Sequence, residues 1–122
     1  MKRAIPARLA AEKRGRQAER IAGWWLRLKG WQIVGRRMRT AAGEVDLVAR
    51  KGVMLAFVEV KARANGADLD LAIDERRLAR VAAAAEILWH SLAKPGDDMR
   101  IDVILLAPGH RPRHLANVWH GG

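Results

Sequence analysis

The chain has 122 residues, no cysteine and a formal net charge of +10. That length fits one domain with a modest core, and the lack of cysteine excludes a disulfide scaffold or a thiolate zinc site and suits a reducing cytoplasm. The basic excess lies wholly in residues 1–61, where 15 Lys or Arg face five Asp or Glu, while residues 62–122 balance eight against eight; a field concentrated on one half attracts polyanions, nucleic acid above all.

Residues 1–12 are basic, contain Pro6 and follow no period, so a flexible arm is expected ahead of a single domain over 13–122. The opening Met-Lys-Arg has the charge of a secretory leader, but Glu12 and a dense run of Lys and Arg follow where an apolar segment would stand, so export is not expected. From about Glu12 to Lys29, the residues Ala18, Ile21, Ala22, Trp25 and Leu28 recur at helical spacing, and Lys29-Gly30 supplies a stop. Glu19 sits at the edge of the buried stripe, where a lone helical Glu more often serves as a surface ion partner than as a metal group. Trp24 and Trp25 read as core and rim packing. Trp31 to Arg39 reads as the first strand, its end crowded by Arg36, Arg37 and Arg39; arginines this close are usually solvated, and beside a metal site they suit phosphate. Thr40 to Gly43 is a turn of small residues.

The stretch from Gly43 to Arg63 then sets two carboxylates and a lysine among apolar neighbours at strand spacing. Alternation puts Val45, Leu47 and Ala49 on one face and Glu44, Asp46 and Val48 on the other; further on, Phe57, Glu59 and Lys61 point one way and Val58 and Val60 the opposite way. With Lys51-Gly52 as a two-residue loop, Arg50 pairs with Val53, Asp46 with Phe57 and Glu44 with Glu59. Asp46 and Glu59 become diagonal neighbours roughly 7 to 8 Å apart at the backbone, with Lys61 and then Arg63 following on the same side. The pattern admits two readings: a structural salt bridge from Lys61 to one of the acids, or a divalent-metal site in which Asp46, Glu59 and the Val60 carbonyl supply hard oxygen ligands.

After a loop from Ala64 to Asp70 marked by Asn65-Gly66, Asp74-Glu75 opens a second helix. Leu78, Val81, Ala82, Ala85, Leu88, Trp89 and Leu92 hold one face, Lys94 closes it and Pro95-Gly96 ends it. Arg76, Arg77 and Arg80 lie off that stripe, on a solvated face or against a nucleic-acid backbone. Glu86 and His90 break the apolar run from Val81, so no membrane span is expected. Arg100 to Leu106 has the continuous hydrophobicity of a strand covered on both faces, with Asp102 a structural acid paired to an arginine. His110, His114 and His120 are expected at the surface, and Leu115 to Trp119 as an edge strand. The order of elements gives an α/β sandwich, a mixed central sheet flanked by helices.

An Asp on the first strand of a hairpin followed by Glu-x-Lys on the second resembles the PD-(D/E)xK signature of restriction-endonuclease-like nucleases. More narrowly, GEVDLV and FVEVKAR, with GRQAERIAGWWLRLKGWQIVGRRMR before them and ERRLARVAAAAEIL and RIDVILL after, look like the YraN family, which is similar to archaeal Holliday-junction resolvases. The resemblance covers about Gly15 to Leu106. It implies a restriction-endonuclease-like fold and a Mg²⁺- or Mn²⁺-dependent endonuclease or resolvase-like activity on DNA, branched or structured forms included. Asp46, Glu59 and Lys61 stand in the motif positions, Glu19 matches the helical acid of the metal set, and Arg16, Arg36, Arg37, Arg39, Arg63 and Arg77 are the cations placed to contact nucleic acid. The chain departs from the pattern at Arg77, where Lys is usual, and at Ile101, where an aromatic is usual. Resolvase-like function favours a symmetric homodimer. The alternative is a nucleic-acid-binding module that keeps the nuclease fold and does not cut.

Overall fold

In the computed structural model, which describes residues 7–63 and 74–121, seven elements follow in the order α1 (Ala7–Leu28), β1 (Gln32–Thr40), β2 (Gly43–Lys51), β3 (Met54–Ala62), α2 (Glu75–Leu92), β4 (Asp98–Leu106) and β5 (Arg113–Leu115). The first six residues and the expected Ala64–Asp70 loop lie outside the described residues. The strands form one sheet in sequence order. β1, β2 and β3 pair antiparallel, β3 and β4 parallel, and β4 and β5 antiparallel, so the sheet is mixed as expected.

α1 begins at Ala7, ahead of the expected Glu12, because Ala7, Leu9, Ala10 and Ala11 are strong helix formers. It ends in a Schellman motif: the Trp31 N–H donates to the Leu26 carbonyl and the Gly30 N–H to the Arg27 carbonyl, each at 3.0 Å. Gly30 takes the left-handed turn this requires, at φ +92°. Leu26 and Trp31 thereby meet in the core beneath α1, with Ala18, Ala22, Leu47, Ala49, Ala56 and Val58. α2 starts at Asp74, whose carboxylate accepts from the Arg76 and Arg77 N–H groups at 3.0 and 3.4 Å. It stops at Leu92, short of Lys94, because Pro95 disfavours helical conformation just before it. Its stripe of Leu78, Val81, Ala84, Ala85 and Leu88 packs on Val48, Leu55, Phe57, Ile101 and Val103. Each helix covers one face of the sheet.

The hairpin register differs from expectation by two residues. Lys51 pairs with Met54 and Leu47 with Val58, so the loop is Gly52-Val53. Gly52, at φ +62°, occupies the first loop position, where a hairpin turn of the right twist needs positive φ. A shift of two keeps every side chain on its face. Val45 is the exception: it joins the core under α2 although alternation assigns it with Leu47, and β2 has left its ladder with β3 by that point.

At the other edge, β5 spans Arg113–Leu115 in place of the expected Leu115–Trp119. Asn117 turns to φ +52° and ends the strand, and its N–H donates to the Asp102 carboxylate at 2.9 Å. Asp102 pairs with Arg100, as expected, at 3.1 Å. His114 corrects the sequence reading: it is not at the surface, its side chain being 8% exposed with Nε2 2.7 Å from Asp102. Burial pushes the Asp102 carboxyl up, but the His114 and Asn117 hydrogen bonds and the Arg100 charge hold it below the ordinary range.

Candidate active site

The β2–β3 ladder ends at Leu47 and Val58, one step before Asp46 and Glu59, which come opposite each other where the strands part. In place of a backbone bond, the Val60 N–H donates to Asp46 Oδ2 at 2.8 Å. The observed Val60 contact with the Asp46 carboxylate is thus through its amide, whereas the sequence reading assigns its carbonyl to a metal. Glu59 is only 5% exposed. Its Oε2 accepts from Arg77 Nε at 3.1 Å, and the Arg77 side chain stays half exposed. Gly43, Glu44, Arg80 and Val81 complete a cleft of about 170 Å³ around the two acids and Arg77.

Two carboxyls this close and this shielded cannot both ionise freely. Burial pushes Asp46 up to about 7, and the charge and hydrogen-bonding of Glu59 push the same way, against the opposing Val60 N–H. Lys61, on the same face of β3, is held below the usual ammonium range, chiefly by burial. The Glu59 and Asp46 charges counter that effect, and Arg77 and Arg63 add to it.

Glu19 reaches this end of the sheet from α1 and is felt by Asp46, but it ion-pairs with Arg37 Nε at 2.7 Å. Arg37 carries φ +48°, a left-handed conformation that costs a non-glycine residue roughly 1 kcal/mol. The hydrogen bond to Glu19 raises the Arg37 guanidinium further, and Glu44 and Asp46 contribute. Among the described residues no three His, Asp or Glu side chains converge as a ready cation cage. Two carboxylates nevertheless suit Mg²⁺, which keeps several of its waters and binds through one or two acidic side chains. The donor set also fits on charge, since a cation between Asp46 and Glu59 would offset the burial, and the lesser repulsion from Glu59, that raise the Asp46 carboxyl, and Arg77 already supplies one positive partner there.

The remaining cations are spread more widely. Arg36 packs its guanidinium against Gly23 of α1, near 3.2 Å from where a Cβ would stand. Arg39 pairs with Glu44 at 3.1 Å in solvent, and Arg16 is exposed on α1. Arg63 lies past the end of β3, its N–H bonded to the Leu106 carbonyl at 2.7 Å. It lines a separate groove between α1 and the loop after β4, with Arg14, Ile21 and Pro108. Arg80 is a cleft residue the sequence did not single out from its helix face, although it stands one turn after Arg77 and so shares its side.

The family model described as uncharacterised protein family UPF0102 matches residues 18–106. A UPF0102 protein of Sphingopyxis alaskensis is 66% identical over 112 residues, covering 92% of this chain and 97% of its own length. Another, of Rhizorhabdus wittichii, is 60% identical over 114 residues, covering 93% and 97%. Among solved structures, that of Archaeoglobus fulgidus Hjc, a Holliday junction resolvase, superposes with a TM-score of 0.56 at 20% identity, covering 80% of this chain and 72% of the other. The likeness is one of fold: a five-stranded mixed sheet between two helices, the restriction-endonuclease-like architecture.

Proposed function

This chain belongs to the UPF0102 family, the YraN family, and we propose that it is a metal-dependent nuclease that hydrolyses phosphodiester bonds in DNA, branched or structured forms included, in the cytoplasm. The carrying observation is the pairing of Asp46 with Glu59 in one cleft, with Asp46 raised to about 7 and Lys61 on the same face. Such acids are unfavourable to bury together without a cation between them. Asp46 and Glu59 would hold Mg²⁺ or Mn²⁺, with the Val60 backbone and Glu19 as further oxygen donors. When bound, the ion supplies Lewis acidity at a phosphate oxygen and acidifies a water.

The chain's own residues do the rest. Val60, through its amide, fixes the Asp46 carboxylate in the orientation seen. Lys61 steadies negative charge growing on the phosphate. Arg77 holds Glu59 in place and balances its charge, and Arg80 brings a second cation to the cleft wall. Arg16, Arg36, Arg37, Arg39 and Arg63 extend the basic surface on which a DNA backbone would lie. A symmetric homodimer would offer two such clefts to a two-fold symmetric substrate.

One observation favours a second reading, a DNA-binding module that does not cut: Glu59 already has a cation in Arg77, and Glu19 is engaged by Arg37 rather than turned into the cleft. Incubating the chain with duplex, flapped, single-stranded and four-way DNA in Mg²⁺ and Mn²⁺ separates the two. Cleavage of at least one substrate, lost in Asp46→Asn and in Glu59→Gln while DNA binding persists, supports the nuclease. Salt-sensitive binding without cleavage of any substrate supports the module and refutes the enzyme.

A further inference from the structure

We infer that a second cleft, on the α1 side and at the opposite end of the sheet from the carboxylates, binds a phosphate ester. It encloses about 440 Å³ and is lined by Lys29, Trp31, Lys51, Met54, Arg100 and His114. Met54 opens β3 and Glu59 lies five residues on, so the two clefts are separated by about 17 Å along the strand. The opposite faces they occupy make them independent sites.

The charge of this cleft is unbalanced. Three fixed cations meet here, and the single acid beneath them, Asp102, is fully buried and already engaged by Arg100, His114 and the Asn117 N–H. Elsewhere Arg37, Arg39, Arg50 and Arg77 each meet a carboxylate. Among the described residues no ion pair engages Lys29 or Lys51. Lys51 Nζ instead donates to the Lys29 carbonyl at 2.9 Å, which leaves two of its three donors for a ligand. Lys29 Nζ rests 4.9 Å from the centre of the Trp25 ring.

The cleft is also preorganised. The Trp31 ring carries Arg100 at 4.9 Å and Lys51 at 6.0 Å from its centre, so flexible cations are held in place by an indole that neutralises neither. Asp102 fixes the His114 ring through Nε2, leaving Nδ1 as its remaining polar atom. Several converging N–H donors with an unbalanced positive charge match the clustered oxygens of a phosphoryl group. The volume leaves room for the attached sugar. Such an ester could come from a nucleic-acid backbone or from a free nucleotide.

The test is a titration of the ¹⁵N-labelled full chain, without divalent metal, followed at the Trp31 indole N–H assigned through Trp31→Phe. The probes are inorganic phosphate, a nucleoside 5′-monophosphate and a short DNA duplex. A saturable shift with phosphate is expected. It should weaken roughly tenfold in the Lys29→Gln/Lys51→Gln double variant, two exposed charge contacts at about threefold each, and be retained in Lys29→Arg/Lys51→Arg. Displacement of phosphate by the duplex assigns the ester to a nucleic-acid backbone, and displacement by the mononucleotide alone assigns it to a free nucleotide. No saturable shift with any probe, or equal binding by the Gln variant, overturns the assignment. Loss of the phosphate response in Asp46→Asn would do the same, by moving the anion to the carboxylate cleft. Failure to cleave DNA leaves it standing.

Discussion

Replacing Asp46 with Asn should make the folded chain more stable at pH 8 while changing it little at pH 4. The Asp46 carboxyl is raised from 3.8 to about 7 on folding, first by burial and then by Glu59. Between those values the folded state keeps a proton that the unfolded state has lost, so this group's contribution becomes steadily less favourable as pH rises through that window. Moving the carboxyl from 3.8 to about 7 corresponds to roughly 4 kcal/mol, and the side chain is shielded enough for most of that to persist. Asn is nearly isosteric, still accepts from the Val60 N–H and carries no charge. The stability difference between variant and wild type should therefore move in the variant's favour by about 3 to 4 kcal/mol between pH 4 and pH 8. Urea denaturation of both proteins across that range measures it, and the difference cancels the titrating groups that do not interact with Asp46. Parallel curves for the two proteins would refute the account of the paired acids. At pH 8, added Mn²⁺ should stabilise the wild type in proportion to the logarithm of its concentration and leave the Asn variant unmoved.

Arg77→Ala should destabilise the fold by about 1 to 2 kcal/mol, because Glu59 loses a charged hydrogen-bond partner that is itself half exposed. The same variant should bind Mn²⁺ more tightly, since Arg77 competes for Glu59; weaker binding by calorimetry would contradict that. Asp97 accepts from Arg50 at 2.8 Å and from the Lys94 N–H at 2.7 Å, and the Arg50 bond leads in holding it at about 2. Its stabilisation is present above the ordinary carboxylate range and lost as pH falls toward 2. Thermal unfolding of Asp97→Asn between pH 2 and 5 should thus show a shallower acid dependence than the wild type, and an unchanged slope would exclude the pair as a stabiliser. If Arg36 contacts a phosphate, Arg36→Ala should lower the slope of log K for DNA against log salt by about 0.9; an unaltered slope removes it from the interface.

The faces of the central hairpin were legible in the sequence because alternation is local: Asp46, Glu59 and Lys61 fall on one side under either register. The register itself was misjudged at Gly52, which suits either loop position; its φ of +62° at the first one makes the two acids opposite rather than diagonal. What the sequence could not give were contacts made by docking. Arg77 reads as one of three arginines on a solvated helix face until α2 settles on the sheet and brings it to Glu59. Glu19 reads as a metal acid by family pattern, yet the backbone turn at Arg37 supplies it with a cation first. His114 lies among Pro, Arg and Gly, so nothing local reports that β5 will fold it onto Asp102. The basic cleft around Trp31 is invisible for the same reason, since its three cations come from the turn after α1, from β2 and from β4.

Whether Asp46 and Glu59 hold a metal ion is decided by a crystal of the full chain soaked in Mn²⁺. Anomalous density is expected between Asp46 and Glu59, about 2.1 Å from an oxygen of each, with Arg77 withdrawn from Glu59. Density elsewhere, or a fully retained Arg77–Glu59 pair with no ion at saturating Mn²⁺, would contradict it.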